Sequence, residues 1–148
     1  MKPFWARGVL TAINKFFVLV LTVVVLQSCD SEKFNFATSS VVPAAKGFVE
    51  VGKDDNNNYE IDLEVTRLAE PERLNPARKL YIVWVQTEKN GVKNIGQLKT
   101  ASGFLSKTLK SSLKTVTSFK PTGFLISAEN DVGVLLPGEQ VVLRTAME

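Results

Sequence analysis

Polar and apolar residues alternate along much of the chain after residue 47, which predicts strands rather than helices. Segment 59–66, YEIDLEVT, alternates without a break, so its four apolar side chains share one face. A period of two is typical of a strand with one buried face. The apolar segment 48–51 precedes it, and the turn-forming residues GKDDNNN between the two segments predict a hairpin.

The next segments continue this pattern. Segment 80–87, LYIVWVQT, is apolar on both faces and predicts a central strand buried on both sides. The Asn90-Gly91 pair that follows predicts a hairpin returning along 92–98. Two further apolar segments, 122–129 and 140–146, follow proline-containing turns and predict the last strands.

The pattern of segment 104–116 is compatible with either a strand or a short amphipathic helix. Its leucines at 105, 109 and 113 fall in one helical stripe, with lysines on the opposite side. Its many serine and threonine residues are poor helix formers, which favours a strand over a short amphipathic helix. With this strand there are about seven, and we predict an all-β fold, a β-sandwich of the immunoglobulin-like type.

The N-terminal segment has the pattern of a secretion signal. Three basic residues precede an apolar run, Phe16 to Leu26, which contains only one polar residue, Thr22. The run is shorter than the roughly 20 residues needed to cross a bilayer, and a small residue, Ser28, precedes the only cysteine, Cys29. Leu26-Gln27-Ser28-Cys29 resembles the lipobox of bacterial lipoproteins.

The lipobox resemblance implies cleavage before Cys29 and lipid attachment to its sulfur. We therefore expect a signal peptide at 1–28, a lipidated N-terminus and tether at 29–46, and a β-sandwich domain at 47–148. The protein would be held on the extracytoplasmic side of a cell membrane or outer membrane. The alternative is an uncleaved anchor helix with an incidental cysteine.

The basic pI of about 9.0 comes from the N-terminal segment. Three of the 18 basic residues lie before the apolar run, and the fifteen others balance the fifteen acidic residues, all of which follow Cys29. We therefore expect no nucleic-acid partner. Within the domain, a lysine-rich segment contains Lys107, Lys110 and Lys114, a possible basic binding patch for anionic lipid or an acidic polymer. The alternative is that the lysine-rich segment and the acidic segment 50–72 are solvated strand faces that attract each other across the fold.

Candidate catalytic chemistry is sparse. The chain contains no histidine and one cysteine, which removes Ser-His and Cys-His nucleophile systems and the commonest transition-metal ligand. We predict no catalytic residues, no metal and no cofactor, and keep a small carboxylate-based hydrolase as an alternative. The DDNNN segment at 54–58 is rich in oxygen ligands but lacks the spacing of a calcium loop, so a hairpin turn is favoured.

The domain also resembles the extracytoplasmic β domain of anti-sigma-K factors. The matching positions are Tyr81, Trp84, Gly91, Gly96, Leu98, Ser127, Glu129, Pro137 and Gly138. The resemblance implies a sandwich-like domain on the outer side of a membrane. About fifteen residues precede the apolar run, too few for a sigma-binding domain, so we expect no sigma-factor partner. The function predicted is that of a non-catalytic binding, sensing or scaffolding module with a protein or envelope partner.

Overall fold

A computed structural model describes residues 31–101 and 109–146. The predicted signal peptide, Cys29 and Lys107 lie outside these ranges. The strands that they contain are β1 (Glu32–Asn35), β2 (Lys46–Lys53), β3 (Tyr59–Thr66), β4 (Leu80–Thr87), β5 (Gly91–Gln97), β6 (Lys99–Ala101), β7 (Lys110–Thr117), β8 (Pro121–Glu129) and β9 (Val141–Arg144). One turn of 3₁₀ helix, Pro71–Arg73, precedes β4. No helix in the two ranges has the length and apolar character needed to cross a membrane.

The strands form two antiparallel sheets, which confirms the predicted all-β sandwich. The first sheet has the order β1-β2-β3-β7-β6, and the second has the order β5-β4-β8-β9. From β2 onward these orders are A-B-E-D and C′-C-F-G in immunoglobulin nomenclature, so the immunoglobulin-like connectivity is also present. β1 is an additional strand at the edge of the first sheet.

The core lies between the sheets and follows the predicted alternation. Ile61, Leu63 and Val65 of β3 face Val83 and Val85 of β4 within one cluster of buried residues. β4 is buried along most of its length, as expected for a central strand. Its alternate side chains point to the outer face of the second sheet. There Ile82, Trp84 and Leu125 form a second, smaller buried cluster.

The segment expected to be a tether is part of the fold from Glu32 onward. β1 pairs with β2, and the chain then crosses to the second sheet, where Phe36 bridges to Thr145 of the C-terminal segment. Phe34 packs edge-to-face on Phe124, with ring centroids 5.3 Å apart. The Ser39 hydroxyl, which is buried, donates a hydrogen bond to the Val142 carbonyl oxygen at 2.5 Å. The domain boundary predicted at residue 47 therefore falls inside β2 and comes about fifteen residues too late.

Segment 104–116 forms a strand where the structure describes it. β7 runs alongside β3 over its full length, from Thr66↔Lys110 to Tyr59↔Thr117. Its threonine residues are common in strands. The favoured strand prediction is confirmed for residues 110–117.

Candidate binding loop on the outer face of the second sheet

The segment between β8 and β9, residues 130–140, lies over the outer face of the second sheet; we call it the β8–β9 loop. The side-chain amide of Asn94 in β5 donates hydrogen bonds to the carbonyl oxygens of Val132 and Val134, at 3.0 and 3.1 Å. The Val134 side chain packs on the cluster around Trp84. The loop thus covers an apolar surface that β4 and β8 would otherwise expose.

A buried chain of hydrogen bonds fixes the end of this loop to the sheet. The Trp84 indole Nε1–H donates to Ser127 Oγ at 2.8 Å, and the Ser127 hydroxyl donates to Glu129 Oε1 at 2.5 Å. The same carboxylate oxygen accepts a hydrogen bond from the backbone N–H of Gly138 at 2.7 Å. Hydrogen bonds to a charged acceptor are the stronger ones in proteins. The loop is therefore held by a carboxylate whose own position is set by a serine and a tryptophan.

Strand alternation places these groups together. Ser127 and Glu129 are two residues apart on β8, so both side chains lie on the outer face with Trp84 of β4. Trp84 and Ser127 are fully buried, and Glu129 is 8% exposed. A buried polar group without a partner costs about 1–3 kcal/mol, and among the described residues no buried side-chain nitrogen or oxygen lacks a hydrogen-bond partner. Each member of the chain therefore depends on its neighbours.

The tip of the β8–β9 loop presents apolar side chains to solvent. Leu135 is 87% exposed, Leu136 is 72% exposed and Val132 is 53% exposed. Single exposed apolar residues are common on protein surfaces, but several on one loop fixed at both ends are typical of an interaction site. An apolar tip on a fixed support also binds at a lower entropic cost than one on a mobile segment.

Several residues that carry the anti-sigma resemblance meet in this site. Trp84, Ser127, Glu129 and Gly138 form the hydrogen-bonded chain itself. In the sequence these positions belong to separate short motifs, and the pattern of segment 80–87 predicts only burial for Trp84. Leu135 and Leu136 were not among the predicted site residues. The available signal was a pair of leucines outside any alternating segment, directly before Pro137-Gly138.

Tyr81, another of these positions, lies apart from the loop. It faces the core between the sheets, and its hydroxyl donates a hydrogen bond to the Ala69 carbonyl oxygen at 2.9 Å. Burial, with a smaller contribution from the negative charge of Glu72, raises the pKa of the Tyr81 phenol to about 12. This residue anchors the segment before β4 and has a structural role.

The lysine-rich segment is only partly described, and its described lysines are in ion pairs within the first sheet. Lys110 Nζ lies 2.6 Å from Glu64 Oε2, and Lys114 Nζ lies 2.5 Å from Asp62 Oδ2. The hydrogen bond from Lys114 to Asp62, with the attraction between their charges, raises the pKa of Lys114. These contacts correspond to the alternative interpretation, in which the lysines of β7 pair with the acidic face of β3.

A shallow groove of about 410 Å³ crosses the same outer face of the first sheet. Glu50, Glu60, Asp62, Lys114 and Val116 are among the residues that line it. Glu50 pairs with Lys33 at 3.0 Å, and the Glu50 and Asp62 side chains are about half exposed. The Glu50 and Asp62 carboxylates are thus screened by water and paired with Lys33 and Lys114. The groove therefore offers a charged surface, and the carboxylate-hydrolase alternative stays a prediction.

The DDNNN segment forms the turn between β2 and β3. Asp54 Oδ1 accepts hydrogen bonds from the backbone N–H groups of Asn56 and Asn58, at 2.9 and 2.8 Å. Its Oδ2 accepts one from the Asn58 side-chain amide at 2.9 Å. These bonds, chiefly those from Asn58, hold the pKa of Asp54 below its ordinary value. Both oxygens of this carboxylate thus serve the turn, which confirms the predicted hairpin.

Comparison of the chain with protein-family models, with curated proteins and with solved structures finds no match. The resemblances to bacterial lipoproteins and to the outer domain of anti-sigma-K factors therefore stay predictions from the sequence.

Proposed function

We propose that this protein is a lipid-anchored, non-catalytic binding module of the bacterial cell envelope, and that the β8–β9 loop is its binding surface. The observation that carries this proposal is the exposure of Leu135 and Leu136 on a loop that is fixed from below by Glu129. Apolar side chains that a partner can bury form the core of a protein–protein contact, and polar groups form its rim. The partner would offer a complementary apolar pocket.

The proposed anchor is the lipid on Cys29. Two or three acyl chains hold a protein stably at a membrane, whereas one chain does so only marginally. Labelled palmitate tests this part directly in cells that express the full chain. We expect incorporation into the wild type and its loss in Cys29→Ser, whereas Ser31→Ala should retain it. Equal incorporation into wild type and Cys29→Ser would exclude lipid attachment at this residue.

The binding surface has a separate test. The full-length protein, solubilised from membranes in mild detergent, is isolated with its bound proteins and compared with Leu135→Ser/Leu136→Ser. Because both side chains are largely exposed, the double variant should fold normally yet lose the partner. A matched control is Val116→Ser, which changes an apolar residue of the first sheet that is 54% exposed. If the control loses the partner and the loop variant keeps it, the binding surface is the first sheet.

The lysine-patch alternative has weaker support. A patch that binds anionic lipid or polymer needs cations available to that ligand, and both Lys110 and Lys114 already have carboxylate partners. The carboxylates of Glu64 and Asp62 beside these ammonium groups would repel an anionic ligand. We therefore place the partner contact on the opposite sheet.

A further inference from the structure

The start of β1 and three connections lie at one end of the sandwich, which we call the N-terminal end. Antiparallel pairing places Glu32 opposite Val51 and Lys53 opposite Tyr59, so the β2–β3 turn is there. Thr87 pairs with both Gly91 and Pro121. Tyr59 also pairs with Thr117, the last residue of β7, so the β7–β8 connection lies at the N-terminal end. The β4–β5 turn is beside it, since Thr87 pairs with Pro121.

Covalent geometry limits how far this end can be from the proposed anchor. Only one residue separates Cys29 from Ser31, the first described residue. A chain extends by at most about 3.3–3.6 Å per residue, so the two Cα atoms are at most about 7 Å apart. This step rests on the proposed lipid attachment at Cys29. With that anchor, Ser31 lies within one headgroup layer of the bilayer surface.

β1 leaves no slack that would let the domain move away. Besides its ladder with β2, the Asn35 carbonyl oxygen accepts a hydrogen bond from the Ala146 N–H at 3.1 Å. Lys33 is in an ion pair with Glu50, and Phe34 packs on Phe124. Releasing a tether of useful length would break all of these contacts. The domain therefore follows its anchor closely.

The surface around Ser31 suits phospholipid headgroups. A depression of about 540 Å³ is lined by residues that include Ser31, Glu32, Lys53, Tyr59 and Lys120. The Lys53 ammonium lies 5.6 Å from the centroid of the Tyr59 ring. Both lysines line the same depression as Ser31. Both signs of charge are present there, which matches a headgroup that carries a phosphate and an ammonium.

We infer that the N-terminal end of the sandwich rests directly on the headgroups of the membrane that holds the anchor, with the ammonium groups of Lys53 and Lys120 against lipid phosphates. The opposite end, where Glu129 pairs with Leu80, then points away from the membrane. The β8–β9 loop leaves β8 and joins β9 at that far end and lies over the outer face of the second sheet. Its exposed leucines would then face a partner protein and not lipid.

Energy transfer from site-specific dyes to headgroup-labelled lipid tests this orientation. The lipidated full-length protein is reconstituted in vesicles of phosphatidylethanolamine and phosphatidylglycerol, and acylation of Cys29 is verified by mass. Dyes are attached to Asn56→Cys or Lys89→Cys at the N-terminal end, and to Lys46→Cys or Glu72→Cys near the opposite end. The ends are separated by about 27 Å, since an eight-residue strand rises about 3.4 Å per residue.

We expect energy transfer to the labelled lipid to be at least about twofold more efficient from dyes at positions 56 and 89 than from dyes at positions 46 and 72, because the two ends are about 27 Å apart. Insertion of twenty Gly and Ser residues before Ser31 should abolish the difference, because such a linker spans about 25 Å. The double variant Lys53→Ser/Lys120→Ser should reduce the difference in transfer efficiency between the two ends. The control double variant Lys46→Ser/Lys99→Ser should leave that difference unchanged. Equal or reversed transfer in acylated protein overturns the orientation and leaves the lipid anchor standing. An unacylated Cys29 overturns both proposals.

Discussion

The indole N–H of Trp84 donates a hydrogen bond of 2.8 Å to the hydroxyl oxygen of Ser127, across 43 residues of sequence. The contact links two adjacent strands on the outer face of the second sheet. It also sets the direction of the Ser127 hydroxyl. Its oxygen accepts from the indole, and its O–H donates to Glu129. Glu129 in turn holds the Gly138 end of the β8–β9 loop.

Replacement of Ser127 by alanine should therefore destabilise the domain and loosen the loop together. The variant leaves the Trp84 N–H without its acceptor and Glu129 without one donor, both in a buried site. A loss of about 1–3 kcal/mol in the free energy of unfolding is expected from denaturant titration. Amide hydrogen exchange should accelerate at Gly138 more than in β3. The matched control, Ser118→Ala, changes an exposed serine and should stay within about 0.5 kcal/mol of wild type.

Gly138→Ala tests the other end of the same chain of contacts. A Cβ at this position would lie 3.0 and 3.2 Å from the two carboxylate oxygens of Glu129. Because Glu129 is buried and held by Ser127, it has little room to move. We expect the free energy of unfolding, measured by heat or denaturant, to fall by about 1–3 kcal/mol. Gly52→Ala is the control, because its Cβ would meet no atom within 4 Å. Equal free energies of unfolding for Gly138→Ala and Gly52→Ala would mean that the Glu129 carboxylate can move aside.

The sequence predicted those parts of this architecture that depend on local alternation. β3 and β4 carry unbroken patterns, and both are strands with the expected faces buried. β1 carries only Phe34 among polar residues, and its strand character depends on pairing with β2. Phe36, which follows it, depends on the C-terminal segment. The burial of Trp84 on the outer face was expected, but the loop that covers it is placed by Ser127 and Glu129 through contacts that no local pattern encodes.

The alkaline titration of Tyr81 provides a test of the core. The pKa is raised to about 12 because burial favours the neutral phenol. The folded state therefore holds this proton more tightly than the unfolded state does. Its contribution to stability is complete below about pH 10, the ordinary pKa, and is lost as the pH rises toward 12. The difference in absorbance at the phenolate band between wild type and Tyr81→Phe should have its midpoint near pH 12; a midpoint near pH 10 would mean an exposed phenol.

The pKa of Lys114 should depend on Asp62, its partner on β3. The pKa of this lysine is raised by Asp62, so the ion pair stabilises the fold below the ordinary lysine pKa and is lost as the pH rises through the raised value. In Asp62→Asn the pKa of Lys114, followed by the NMR shift of its side chain, should fall. Glu60→Gln changes an acid of the same strand and should lower it less. An equal fall in both variants would indicate a general effect of the acidic face.

Removal of the apolar tip should separate binding from folding. Leu135 and Leu136 are largely exposed, so Leu135→Ser/Leu136→Ser should change the free energy of unfolding by less than about 0.5 kcal/mol. Leu143→Ser in β9 is the contrasting variant, since that leucine is 1% exposed and its loss should unfold the domain. A large stability loss in the loop variant would mean that the two leucines pack on the domain.

The most direct test of the proposed binding surface is photo-cross-linking in intact cells. A photoreactive residue is placed at position 136 of the full-length protein, and at position 116 in a parallel sample as the exposed control. We expect one specific adduct from position 136, which is lost when Leu135 is changed to Ser and reduced in Ser127→Ala. No matching adduct should form from position 116. The same adduct from position 116, or none from position 136, would contradict the assignment of the β8–β9 loop as the binding surface.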